Sequence, residues 1–174
     1  MSGNDNVTKV VILGDSGVGK SCLINRFISN YFNENDQIGA VSYHSKVIYV
    51  EGKEYKFDIW DTCGVEKYRA LQKFFVDNSK IVLLVYDITK KKSFLGLDVW
   101  LDMVLDRIGP DVFLVLVGNK SDLYENEEIS EEKGREFAQI IKAKFALVSA
   151  KDNPESWNSF FKNVLIDYIK KNNP

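Results

Sequence analysis

The chain is short of the residue types that carry several common chemistries. It has two cysteines, Cys22 and Cys63, too few for a disulfide framework and wrongly spaced for zinc. Each reads as a small buried residue beside a loop. No apolar stretch reaches the roughly 18 residues that a membrane-spanning helix requires. The opening Met1–Asn6 is short and polar, with nothing like the apolar region of a signal peptide. Basic residues are not in excess: 23 Lys and Arg face 25 Asp and Glu, and the net charge is −2. That removes the electrostatic case for a nucleic-acid partner. Internal repeats, low-complexity tracts and interdomain linkers are also missing. These absences predict a soluble, cytoplasmic protein of one domain.

What is present fits that expectation. A chain of 174 residues, 45% apolar and 13% aromatic, is long enough to bury a real core. Apolar runs alternate with helical periodicity. Strands are predicted at about 7–13, 41–51, 54–60, 81–86, 112–117 and 145–148. Gly52-Lys53 reads as the turn of a hairpin between the second and third. Helices are predicted at about 20–29, at 66–77 with a mixed face, after Ser93 as cap, after Ser130 as cap, and from Asn153-Pro154 onward. Asn30–Ala40 is polar and aperiodic, and is longer than most connections in compact domains, as functional loops tend to be. Strands alternating with helices argue a three-layer α/β domain. Its six-stranded sheet is mostly parallel, with one antiparallel edge strand and about five helices.

Residues 9–21, Lys-Val-Val-Ile-Leu-Gly-Asp-Ser-Gly-Val-Gly-Lys-Ser, organise the rest. Val10–Leu13 is a short β-branched run. Gly14, Gly19, Lys20 and Ser21 then fit G-x-x-x-x-G-K-[ST], and a helical spacing of Leu23, Ile24, Phe27 and Ile28 follows. Strand, glycine loop and helix form the context of a phosphate-binding P-loop. Glycines let successive backbone N–H groups turn inward on a phosphate, and the helix start adds partial positive charge. Asp15, Ser16, Gly17, Val18, Gly19, Lys20, Ser21 and Cys22 are therefore candidate nucleotide-binding residues. Lys20 would reach the β- and γ-phosphates, and the Ser21 hydroxyl would hold Mg²⁺.

Further polar groups follow later strands. Asp61-Thr62-Cys63-Gly64, Asn119-Lys120-Ser121-Asp122 and Ser149-Ala150-Lys151 all fall at carboxyl ends, where sheets of this kind bind ligands. Asp122 points to guanine. A carboxylate can accept from the ring N–H and the exocyclic amine of that base, whereas adenine offers no such donor pair. An unpaired buried carboxylate would be costly. Asn119 could reach the base's other edge or tie loops together, the Lys120 stem could lie on the base, and the Ala150 N–H could meet the guanine oxygen.

In these motifs, and across about 7–171, the sequence resembles the small GTPases of the Ras superfamily. Lys56–Thr62, Tyr68-Arg69 and Leu84–Thr89 are most similar to the Rab branch. The polar 1–6 is expected to be disordered, and the resemblance implies one G domain over 7–171 with GTP or GDP and Mg²⁺ as ligands. It implies metal binding by Ser21 and Asp61, a γ-phosphate contact from the Gly64 N–H, and packing of Phe32 on guanine. Asn119, Lys120, Asp122, Ser149, Ala150 and Lys151 would read the base. It also implies effectors, an exchange factor, a GTPase-activating protein and a role in vesicle traffic, with a monomeric protein. Membrane attachment, peripheral on endomembranes, would need a lipidated tail beyond residue 174.

The chain departs from the family pattern in its switches. Val65 stands where the family has the glutamine that orients the attacking water, so slow hydrolysis is expected. Lys20, Gly64 and Val65 are the candidate catalytic positions. No threonine occurs between Thr8 and Thr62, so the first switch, Gln37-Ile38-Gly39, lacks the family's Mg²⁺-binding threonine. His44, the single histidine, reads as an exposed strand residue, a partner contact or a pH sensor.

Overall fold

The computed structural model describes residues 7–35, 41–62, 64 and 69–172. The expectations for Met1–Asn6, for Gln37–Gly39, and for Cys63 and Val65 lie outside the described residues. The elements run β1 (Val7–Leu13), α1 (Lys20–Ser29), β2 (Val41–Val50), β3 (Lys53–Thr62), α2 (Arg69–Val76), β4 (Ile81–Asp87), α3 (Lys91–Leu95), α4 (Leu97–Ile108), β5 (Phe113–Asn119), a 3-10 helix (Ser121–Asn126), α5 (Glu131–Ile140), β6 (Lys144–Leu147) and α6 (Pro154–Asn172). The sheet order is β2-β3-β1-β4-β5-β6. Every pairing is parallel except β2 with β3. This is the anticipated six-stranded sheet with an antiparallel edge. The described residues hold six α-helices rather than about five, because the helix expected after Ser93 is two.

Alternation along the strands builds a core on each face. Val10 and Ile12 point to the face covered by α1 and α6, where they meet Leu23, Phe27, Trp157 and Phe161. Val11 and Leu13 point to the other face, toward Val76, Leu97, Trp100 and Ala138. β4 is buried at every position, as expected of a strand covered on both sides. Side-chain caps fix two helix starts. Ser130 accepts the Lys133 N–H at 3.3 Å ahead of α5, and Asn153 accepts the Ser156 N–H at 3.1 Å ahead of α6.

Local details differ from expectation for identifiable reasons. The hairpin turn is Glu51-Gly52, with Val50 opposite Lys53. Both central residues have positive φ, 51° and 78°, which suits the twist of the flanking strands. Ser93 is not a cap. It lies buried inside α3, where its Oγ accepts the Asp87 N–H at 3.0 Å and donates to the Lys90 carbonyl at 2.7 Å. His44 is half-buried rather than exposed. Its Nε2 lies 3.1 Å from the Ser42 Oγ, and burial lowers its pKa. Cys22 is half-buried, less enclosed than the sequence suggested.

Candidate functional site

The carboxyl ends of four parallel strands, β1, β3, β5 and β6, open into one cleft of about 550 Å³, a size usual for ligand sites. Ser16, Lys20, Thr62 and Gly64 line one end, and Phe32, Asn119, Asp122 and Ala150 the other. The segments that the sequence marked after separate strands therefore meet in space.

The loop after β1 is shaped by close approaches. A Cβ on Gly14, whose φ is +149°, would lie 2.3 Å from the Val85 carbonyl oxygen. A Cβ on Gly19 would lie 2.3 Å from the Asn119 Nδ2. Only glycine fits either place. The buried Lys20 folds back over the loop, its Nζ donating to the carbonyls of Gly14 at 2.9 Å and Asp15 at 3.0 Å. Gly64 packs its backbone on the same loop, since a Cβ there would come within 2.4 Å of the Ser16 nitrogen. The Asp15 side chain turns away from the cleft and accepts the Trp100 indole N–H at 3.0 Å. Val18 is buried. These two therefore face the cleft through backbone at most.

Asp61 sits beneath the phosphate loop and is 1% exposed. Burial pushes its carboxyl up to about 6, against a hydrogen bond with Ser21 and the nearby Lys20 ammonium. Its Oδ1 has no hydrogen-bond partner among the described residues. A buried carboxylate oxygen without a donor, beside a hydroxyl, is a donor set suited to a hard divalent cation. The residues present therefore fit Mg²⁺. Among the described residues no group of three or more His, Cys, Asp or Glu is placed to hold a metal ion.

At the other end the polar side chains are held by one another. The Asn119 Nδ2 donates to the Val18 carbonyl at 2.9 Å, and its Oδ1 accepts the Ala150 N–H at 3.2 Å. Of the two roles anticipated for Asn119, this is the tying of loops. Lys120 donates to the Gly17 carbonyl at 2.7 Å and pairs with Asp87 at 2.8 Å. Asp122 accepts from the Ser149 hydroxyl at 2.6 Å. That hydroxyl also accepts the N–H groups of Lys151 and Asp152 at 3.1 and 3.0 Å. Lys151 closes the rim by an ion pair to Glu34 at 2.8 Å, which raises the lysine pKa. Sequence reading missed the side-chain roles of Trp100, which lies in an apolar helical stripe that looks like core alone, and of Asp87, a single acidic residue that follows the apolar run 81–86.

A model of the Ras family matches residues 9–170. The chain belongs to this family. It is a small GTPase close to the Rab branch. It is 38% identical to the Ras-related protein RIC2 of Oryza sativa, over 90% of this chain and 72% of that one. It is 36% identical to the GTP-binding protein ypt2 of Schizosaccharomyces pombe, over 96% and 83%. The Ras-related protein Rab-8A of Gallus gallus is also 36% identical, over 90% and 76%. Family membership agrees with the architecture, whose cleft at the strand ends is lined by the P-loop, Thr62 and Gly64, the Asn119–Asp122 segment and Ala150–Lys151. Among the described residues no helix is long and apolar enough to cross a membrane.

Proposed function

We propose that residues 7–171 form a G domain that binds GTP and GDP with Mg²⁺ and hydrolyses GTP slowly. The observation that carries this reading is one cleft lined by Lys20, Ser21 and Asp122, with the buried Asp61 bonded to Ser21 behind one end and Ser149 bonded to Asp122 behind the other. The backbone N–H groups of 15–20 would cradle the phosphates, and the Lys20 ammonium would exchange its two carbonyl acceptors for phosphate oxygens. Ser21 would hold the metal directly and Asp61 through water. When bound, Mg²⁺ neutralises charge on the phosphates. The Gly64 N–H would meet the γ-phosphate. Asp122 would accept from the guanine ring N–H and amine, Phe32 and the Lys120 stem would pack on the base, and Ala150 would share its N–H between Asn119 and the guanine oxygen.

Water attacks the γ-phosphorus and GDP leaves. The protein contributes position and charge to this step. Val65 has no group to orient that water, and the first switch has no threonine for the metal. Both features support slow hydrolysis and weak coupling of the switch to the nucleotide. Likeness to the Rab branch supports a regulator of vesicle traffic that works with effectors, an exchange factor and a GTPase-activating protein. It also supports a monomer in the cytoplasm, peripheral on endomembranes if a lipidated tail is present. The same two departures favour a second reading, a nucleotide-stabilised interaction module without a regulated cycle.

Single-turnover phosphate release from GTP-loaded protein, beside Val65→Gln, tests the proposal. Near-inert wild type with a faster variant supports a GTPase slowed by one substitution. A wild-type rate typical of the family overturns the slow-hydrolysis reading. A nucleotide that neither exchanges nor alters partner affinity favours the module.

A further inference from the structure

Arg26 lies on α1, one turn before its end, and is half-buried. Its guanidinium binds along several directions at once. Nε donates to the Ala150 carbonyl at 2.7 Å. One terminal nitrogen donates to the Asn30 carbonyl at 2.8 Å and the other to the Lys151 carbonyl at 3.2 Å. The face of the same group lies 5.1 Å from the centroid of the Phe32 ring, a cation–π distance. The Arg26 backbone takes part too, since its carbonyl accepts the N–H of Asn30, the left-handed residue that ends α1.

These contacts join two segments that have no sheet pairing to each other. One is the chain leaving α1, which carries Phe32. The other is the loop after β6, which carries Ala150 and Lys151. Both line the end of the cleft where Asp122 stands. The rim ion pair of Lys151 with Glu34 links the same two segments, but its partners are about half exposed and such pairs contribute little. The forked guanidinium holds two carbonyls of one loop and one of the other in a fixed plane, which a single-point cation cannot do.

We infer that Arg26 is a positioning residue that sets how fast the base end of the cleft opens, and so how fast guanine nucleotide leaves. This inference rests on the reading of the cleft as a guanine-nucleotide site. Arg26 acts through Phe32 and the 150–151 backbone and touches no ligand itself. Its action is confined to the base end. Loss of the group therefore speeds release of GDP and GTP by the same factor, and that factor survives removal of Mg²⁺.

The test is the dissociation rate of fluorescent GDP and fluorescent GTP from wild type, Arg26→Ala and Arg26→Lys, each with Mg²⁺ and after chelation. Arg26→Ala is expected to release both nucleotides about tenfold faster, the effect of losing charge-assisted hydrogen bonds, by equal factors with and without the metal. Arg26→Lys, which keeps charge but not the fork, is expected to fall between. Rates in Arg26→Ala equal to those of a wild type that binds normally overturn the role of Arg26 and leave the site reading intact. An effect on GTP alone, or one that vanishes on chelation, places the action at the phosphate end and also overturns it. If Arg26→Ala does not fold, the equal-factor criterion is applied to Arg26→Lys. A wild type that binds neither nucleotide overturns the site reading and this inference with it.

Discussion

Lys120 and Asp87 form an ion pair of 2.8 Å in which the carboxylate is fully buried and the lysine side chain is 30% exposed. The same ammonium donates to the Gly17 carbonyl. A side chain from the end of β5 thus ties the end of β4 to the loop after β1. Asp87 is held on its other oxygen by the Thr89 N–H at 2.9 Å and hydroxyl at 2.7 Å. Burial alone would raise the Asp87 carboxyl. The bonds from Lys120 and Thr89 outweigh it and hold the group below the usual 3.8.

Asp87→Asn should therefore destabilise the protein by about 2–3 kcal/mol at neutral pH, the scale of lost hydrogen bonds to a charged group. It should also loosen Gly17 and speed nucleotide release. The native carboxyl titrates below its unfolded value, so its contribution is fully present above about pH 4 and is lost as pH falls through the lowered native value. Urea unfolding of both proteins from pH 7 down to pH 3 checks this. The gap between them should be constant near neutrality and narrow in acid; a gap that does not narrow would mean the carboxylate charge is not what stabilises.

Tyr86 offers a different kind of test, because its hydroxyl stabilises nothing visible. The side chain is fully buried, and the hydroxyl has no hydrogen-bond partner among the described residues. It points at glycines instead. A Cβ on Gly118 would lie 2.7 Å from it, and one on Gly134 would lie 2.4 Å from it. Burial pushes the phenol well above its usual value. Tyr86→Phe should raise stability by about 1 kcal/mol and the melting midpoint by about 2–4 °C. Gly134→Ala should be destabilising alone and less so in the Tyr86→Phe background. Calorimetry of the four proteins decides, and a lower midpoint for Tyr86→Phe would mean the hydroxyl is bonded in solution.

The contrast between these residues and the strands explains what was legible in the sequence. Val10–Leu13, Ile81–Tyr86 and the α6 stripe announce themselves because burial on a repeating element leaves a period. The site segments were legible for a second reason: each is a polar cluster directly after an apolar strand. Single side chains that link elements leave no period. Arg26 lies beside the apolar stripe of α1, and only its partners 124 and 125 residues away give it meaning. Ser93 looks like a cap because a helical pattern follows it, yet its hydroxyl serves the buried N–H of Asp87. The 3-10 turn after Lys120 has neither period nor apolar face, since no residue in it is buried. β3 was read as ending at Trp60 because Asp61 and Thr62 are polar, although both are buried. Their burial is tertiary. Asp61 lies beneath the phosphate loop, and the Thr62 hydroxyl donates to the Ile12 carbonyl at 2.7 Å.

The fit of Asp61 and Ser21 to Mg²⁺ predicts a metal-dependent grip on nucleotide. Chelation should speed release of GDP from wild type by about tenfold or more, because the cation shares charge with the phosphates. Ser21→Asn should weaken GTP more than GDP, since the triphosphate depends more on the metal. Asp61→Asn should blunt the response to chelation while leaving guanine preference in place. Fluorescent-nucleotide dissociation, with and without chelator, measures all three. An Asp61→Asn protein that responds to chelation as strongly as wild type would remove this carboxylate from the metal's environment.

Asp122 and Ser149 make separable predictions because their bond runs one way. The Ser149 hydroxyl donates to the carboxylate and accepts two N–H groups from the following turn. Asp122 is then the group that would read the base, and Ser149 the group that aims it. Asp122→Ala should lose two charge-assisted hydrogen bonds to guanine, each worth about 1.5–3 kcal/mol, and its preference for GDP over ADP should fall by about a hundredfold or more. Ser149→Ala leaves the carboxylate in place but free to turn, so GDP should weaken by about tenfold or less with the preference largely kept. Competition titrations with GDP and ADP separate the cases. Equal loss of preference in both variants would mean that aiming and reading cannot be divided between the two residues. Unchanged preference in Asp122→Ala would move base recognition to the backbone of Ala150 and Lys151, which Arg26 holds.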